Sequence, residues 1–244
     1  METAISRRDR ARLATSAEIL TTARRLLIES GPQGVTLRAI AREMGMTAPG
    51  LYRYVNSHED LMTWLIASLF DEVTGCLEAA RDAAGPDDVG VKMLAVCRAF
   101  RRWALANPAE LALVFGSPVP GFSAPEEGPT DEAARRFCGV FLALFVELWQ
   151  RQPFPVRAEA EIDPGLRAAL KAWVPVELDL PAGMLELFLR CWMRLYGAVT
   201  MEGFGQLAFA LEDAEPLFEL ELADLGELLG VGDAYSPPRR PSAG

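Results

Sequence analysis

Between Thr36 and Tyr54 two threonines stand on either side of a glycine turn, and this pattern constrains the fold more than any other part of the chain. Thr36 can cap a short helix that buries Leu37, Ile40 and Ala41, because its hydroxyl accepts from a first-turn amide that has no partner in the helix. Gly45, within Met44-Gly45-Met46, suits a left-handed turn where a Cβ would carry a penalty. Thr47 then caps a further helix with Pro49 in its first turn, where the missing N–H costs nothing. Leu51 and Val55 face inward, while Tyr52, Arg53 and Tyr54 lie at or near the surface. Two short helices across a tight glycine turn form a helix-turn-helix, whose second helix can enter the major groove of double-stranded DNA.

The leading end of that second helix is Thr47-Ala48-Pro49-Gly50, small residues that let the backbone come close to base edges. Ala48 and Pro49 can touch a thymine methyl, and Thr47 can reach a phosphate. The hydroxyls of Tyr52 and Tyr54 suit phosphate oxygens, and Arg53 suits either a base or a phosphate. Arg38 and Arg42, four residues apart, can clamp the backbone from the first helix of the pair. The plain alternative is a small helical bundle with a solvated arginine face.

Composition supports an all-α fold. Ala, Leu, Glu and Arg dominate, and these side chains lose little rotamer freedom in a helix. Before the helix pair, Ser16 can cap a helix carrying Ile19, Leu20, Ala23, Leu26 and Leu27 on one face, which Gly31-Pro32 stops. A net charge of −10 speaks at first against a nucleic-acid partner, but it is unevenly spread. Residues 1–60 hold nine Arg against seven acids, while the rest is strongly acidic, so the N-terminal end is the one that anions favour.

Beyond residue 57 the pattern stays helical. Ser57 and Asp60 make a capping-box-like start, and Leu61, Met62, Leu65, Ile66, Leu69, Phe70 and Val73 trace one face of a fourth helix ending at Gly85-Pro86. That helix is the expected transmission element. A fifth helix is expected over 88–106, a short sixth from Asn107-Pro108 to Gly116, and a seventh over 130–151. Residues 116–129, rich in Pro and Gly, read as a loop, and 152–163 as irregular chain before a short helix from Asp163-Pro164 to Pro175. Across 183–211, Leu185, Phe188, Leu189, Trp192, Tyr196 and Val199 form one stripe, with Leu187, Cys191, Leu195, Ala198 and Met201 largely outside it. A helix apolar around most of its girth is buried on more than one side. One side is therefore assigned to a partner subunit, together with the Phe218, Leu222, Leu225 and Leu229 seam of the last helix. Residues 231–244 read as a disordered tail.

The residues Ile19-Leu20, Ala23, Gly31, Thr36-Leu37, Ile40-Ala41, Gly45 and Gly50-Leu51-Tyr52-Arg53-Tyr54-Val55 resemble the DNA-binding domain of the TetR family of bacterial regulators over about residues 15–65. The stretch from Cys191 through Gly197 to Glu202 is similar to the effector-domain signature of one TetR subgroup, with Tyr196 where a His is frequent. The resemblance implies an N-terminal arm at 1–14, a helix-turn-helix domain at 15–60 and an effector-binding and dimerisation domain at 61–230. It also implies a homodimer on a near-palindromic operator whose DNA affinity is set by a small-molecule effector. One position departs from the pattern: the family usually carries Lys or Arg where this chain has His58. As a hydrogen-bond donor His58 can meet a phosphate, or it is simply an exposed helix-start residue.

Phe100, Trp103, Phe115, Phe141, Phe145, Trp149, Trp192, Met193 and Tyr196 are candidates for lining an apolar effector pocket, with ordinary core as the other reading of each. Arg190, with Glu186 and Arg194, reads as a surface ladder. Cys76, Cys97, Cys138 and Cys191 are widely spaced and read as buried thiols in a reducing cytoplasm. The arginines of the N-terminus are not followed by a signal-peptide core, and no apolar stretch is long enough to span a membrane. A lone His and the lack of a phosphate-binding glycine motif argue against an enzyme, a cofactor or a metal site. The expected function is a sequence-specific repressor released from a palindromic operator by an apolar small molecule; the alternative is a helical protein that binds a small molecule or acyl chain and never touches DNA. The residues do not separate repressor from activator.

Overall fold

The structure is a computed structural model that describes residues 6–116, 122, 127–174 and 178–237. Among the described residues every regular element is helical. The α-helices are α1 (Arg7–Ser30), α2 (Leu37–Glu43), α3 (Ala48–Leu51), α4 (His58–Ala83), α5 (Val89–Ala106), α6 (Pro108–Phe115), α7 (Pro129–Arg151), α8 (Pro164–Trp173), α9 (Ala182–Gly203) and α10 (Glu215–Leu228).

Most starts and stops follow the punctuation of the sequence. Thr36 Oγ1 accepts from Ala39 N at 3.1 Å, Thr47 Oγ1 from Gly50 N at 3.2 Å and Ser57 Oγ from Asp60 N at 3.0 Å. The box at Ser57 is not reciprocal, because Asp60 Oδ2 instead accepts from Asn56 N and Nδ2. Asp163 caps α8 through Leu166 N at 2.9 Å. Gly45 has φ +62°, the left-handed turn expected of it. The reading of 116–129 as a loop falls largely outside the described residues.

Three boundaries differ from expectation. Helix α1 begins at Arg7, not near Ser16, so most of the supposed N-terminal arm is helical. Ser6 supplies the cap, its Oγ accepting from Asp9 N at 3.1 Å and donating to Asp9 Oδ2 at 2.7 Å. Helix α9 stops at Gly203, followed by turns in which Gly205 has φ +68°. Within the expected tail, residues 231–237 are described and folded: Gly232–Ala234 forms a 3₁₀ turn, and Tyr235 lies 5.7 Å from the Arg98 guanidinium. The remaining tail residues lie outside the description.

The chain divides into two compact units, Met1–Gly75 with Ala106–Cys138, and Cys76–Leu105 with Gly139–Gly244. This differs from a boundary at residue 60, because α6 and the start of α7 pack with the N-terminal helices. In the first unit Phe70, Phe115 and Phe137 meet with ring centroids 5.5 to 5.8 Å apart. In the same unit Arg24 of α1 ties to Glu72 of α4 and, at 2.7 Å, to Glu110 of α6. In the second unit Arg98 grips Glu219 with two bonds of 2.9 and 2.6 Å, and Arg101 grips Glu202 at 2.7 and 2.6 Å. These forked pairs pin α10 and α9 onto α5.

Candidate nucleic-acid interface and apolar cavity

The helix-turn-helix sits in the first unit. Ile19, Ala23, Ile40, Leu51 and Val55 are buried, so α1, α2 and α3 share one small core. Helix α3 is a single turn, and Tyr52, Arg53 and Tyr54 follow it as turn residues, not as further helix. Thr47, Ala48, Pro49, Tyr52 and Arg53 are exposed, as are Thr36 and Arg38 on the neighbouring helix; Gly50 and Tyr54 are half-buried. Arg38 and Arg53 make no ion pair among the described residues, whereas Arg42 stands 3.5 Å from Glu43. The surface therefore offers free guanidinium groups and small residues side by side, which is the chemistry that phosphates and base edges require.

His58, read either as a phosphate contact or as an exposed helix-start residue, is exposed at the first position of α4 and also bonds the backbone. Its Nε2 is 2.8 Å from the carbonyl oxygen of Val35. A carbonyl only accepts, so Nε2 carries the proton and donates it to Val35 O. His58 fastens the start of α4 to the segment between α1 and α2.

The second unit holds a cavity of about 50 Å³ among α5, α7, α9 and α10, lined almost wholly by apolar atoms. Of the nine pocket candidates, Phe141, Phe145 and Trp192 line it. Phe100 is fully buried and stacks behind them, 6.0 Å from Trp192. Tyr196 is 5.8 Å from Trp192, and burial raises its phenol pKa above the usual range. The others belong elsewhere: Trp103 is core, Trp149 packs on Phe154 at 5.0 Å, and Phe115 is in the first unit. Met193 is 67% exposed, so it is no lining residue.

The residues assigned to the dimer interface are the main correction. Leu187, Leu195, Phe218, Leu222, Leu225 and Leu229 are buried in this chain's own core, and Cys191 is half-buried. Cys191, Leu195, Leu222, Leu225 and Leu229 line the cavity. The seam of spacing four, three and four was real, but it closes on α5 and α9 of the same chain. Missed by sequence reasoning were Met93, Leu94, Cys97 and Phe188, which also line the cavity. Met93 and Cys97, one helical turn apart on α5, carried the signal.

The thiols are not uniformly buried either: Cys97 is buried, Cys138 and Cys191 are half-buried, and Cys76 is exposed. Burial pushes Cys97 up to about 12 and Cys191 up to about 11. Of the expected ladder, Arg190 keeps Glu186 at 3.6 Å, while Arg194 turns to Glu221 on α10. No helix among the described residues is long and apolar enough to cross a membrane.

A helix-turn-helix with free cations, in one chain with a helical unit that encloses an apolar cavity, defines a DNA-binding transcription regulator. The sequence model of bacterial regulatory proteins of the tetR family matches residues 19–63, and that of the tetracyclin repressor-like C-terminal domain matches residues 93–225. The chain is 32% identical over 221 residues to the HTH-type transcriptional regulator Rv1816 of Mycobacterium tuberculosis, spanning 89% of this chain and 93% of the relative. It is similar to the crystal structure of the regulatory protein SCO4313, with 31% identity, TM-score 0.71, and 90% and 98% of the two chains covered. RolR in complex with resorcinol shares the fold at 15% identity and TM-score 0.53, over 94% and 98% of the chains. The chain belongs to the TetR family of transcriptional regulators. Members of that family bind DNA and small-molecule ligands and act as dimers; they are regulators, not enzymes.

Proposed function

We propose that this chain is a cytoplasmic, homodimeric repressor released from a near-palindromic operator by an apolar small molecule. What carries the reading is the exposed face Thr47-Ala48-Pro49 with Arg38 and Arg53 unpaired beside it. Two such faces in one dimer suit two successive major grooves. Thr47 and the tyrosine hydroxyls position the protein on phosphates, Ala48 and Pro49 read thymine methyls, and Arg53 supplies the cationic contact.

The effector site we assign to the cavity bounded by Met93, Phe141, Phe145, Phe188, Trp192 and Leu222. Its walls offer almost no polar partner, which selects apolar ligands. At about 50 Å³ it must widen to admit one, and ligand pockets are commonly several hundred Å³. Binding would therefore favour an expanded conformation, and its effect on DNA affinity is limited to its preference for that state.

For the dimer face we now assign the sides of α9 and α10 that the described residues leave uncovered. Met193, Gly197 and Met201 recur every four residues on α9, and Leu217, Leu220 and Leu228 lie along one side of α10. Met193, Met201 and all three leucines are exposed, and a Cβ at Gly197 would meet nothing within 4 Å. An apolar stripe with a gap for a closely approaching helix suits a second copy of the chain.

The test is selection of bound duplexes from a random pool by the full chain, at two salt concentrations. The reading predicts a two-fold-symmetric site with steep salt dependence; failure to enrich any sequence would remove it.

A further inference from the structure

The early start of α1 has a functional side. None of its residues before Ile19 is buried, and Leu13 is 60% exposed, so packing among the described residues does not hold these turns. They carry Arg7, Arg8, Arg10 and Arg12, none ion-paired among the described residues, in contrast to Arg24 and Arg25 further along the same helix. Arg8 and Arg12 are one turn apart on one face, a like-charge pair that destabilises a helix unless an anion lies against it. The same two residues, with Arg53 and Tyr54, line an open cleft of about 470 Å³ in the first unit. Asp9 also borders the cleft, but its carboxylate accepts from the Ser6 hydroxyl at 2.7 Å. Three guanidinium groups against one occupied carboxylate leave the cleft cationic.

We propose that the first two turns of α1 are a second DNA-contacting element, in which Arg8 and Arg12 join Arg53 to hold the phosphate backbone beside the groove entered by α3. The element rests on the operator binding proposed above and extends it to residues outside the helix-turn-helix. Because the contacts are to phosphate, they add affinity and salt dependence and leave sequence preference alone.

The experiment titrates the selected operator duplex with the full-length chain, the Arg8→Ala/Arg12→Ala variant, the Arg8→Lys/Arg12→Lys variant, Arg53→Ala, and Arg102→Ala as an exposed control on α5. Each is measured across a salt series, with circular dichroism to verify helix content. The alanine pair is expected to lower the slope of log affinity against log salt by about two per subunit, with the order of preferred operator sequences unchanged. Between about 50 and 200 mM salt this shrinks the salt-induced loss of affinity by about tenfold per subunit. The lysine pair is expected to keep the slope, as is Arg102→Ala. An unchanged slope in the alanine pair, while Arg53→Ala still weakens binding, overturns this proposal alone. A scrambled sequence preference in the alanine pair overturns it too. If the unaltered chain binds no duplex, the operator reading fails and takes this element with it.

Discussion

Arg24 in α1 places its Nε 2.7 Å from Oε1 of Glu110 in α6, a carboxylate whose residue is only 2% exposed. The same guanidinium bonds Asn107 Oδ1, at the N-cap of α6, at 2.9 Å and Glu72 of α4, so one side chain ties α1 to two other helices of the first unit. Its hydrogen bond with Glu72 is the largest influence holding the guanidinium pKa above its ordinary value. Arg24→Ala strands the Glu110 charge in the interior, at a cost of about 3 kcal/mol. Glu110→Gln keeps one polar contact and removes the charge, so it costs about 1 kcal/mol. Denaturant unfolding of both variants checks the order, and equal losses would contradict the buried-charge account.

The cavity thiols contribute a loss of stability at alkaline pH. Cys97 and Cys191 are held neutral by burial, at about 12 and about 11 against an ordinary 9.0. Above about pH 9 the unfolded chain gives up thiol protons that the folded chain retains, so stability falls as pH rises through the folded values. Replacing both by Ala is expected to flatten that fall in a series of thermal melts. At pH 8 a thiol reagent should label exposed Cys76 rapidly and leave Cys97 unreacted until the protein unfolds.

Leu220 and Leu222 lie two residues apart on α10 with opposite fates: Leu220 is 64% exposed and Leu222 is fully buried against the cavity. Leu220→Glu is expected to leave the melting temperature of the isolated subunit within a degree or two while sedimentation shows loss of the dimer. Operator affinity should fall with it, because the two half-sites are no longer bound together. Leu222→Ala should instead cost about 2 to 5 kcal/mol and enlarge the cavity. Stabilisation by dissolved benzene, absent in the parent chain, is the readout for that enlargement.

The hydrogen bond between His58 and Val35 predicts a structural, not an electrostatic, phenotype. His58→Ala is expected to cost about 1 kcal/mol and to leave the salt slope of operator binding unchanged. A reduced slope would put His58 back among the phosphate contacts.

Local signals made the helix-turn-helix legible. The caps at Thr36 and Thr47 and the left-handed Gly45 act within a few residues, and the structure places each where the spacing says. The sides of α9 and α10 were not legible, because apolar spacing identifies a face without naming what covers it. Leu222 and Leu225 face α5 and α9 of their own chain, while Leu217 and Leu220, equally apolar, are left bare. Arg98 and Arg101 decide the matter by pinning α10 and α9 through Glu219 and Glu202, pairings more than a hundred residues apart in sequence. The early start of α1 was hidden for a simpler reason: Ser6 caps as well as Ser16 could, and the arginines between them favour a helix without burying anything.

The length of α4 has a geometric consequence. Its 26 residues span about 39 Å without a Pro or a π-bulge to interrupt them. Over that length a tilt of about 5° at one end sweeps the other through about 3 Å. Because His58 on its first turn is bonded to Val35, there is little slack at that end in which such a sweep could be lost. A rod of that length, fastened at its first turn, turns a small angle into a displacement of several ångström at its far end.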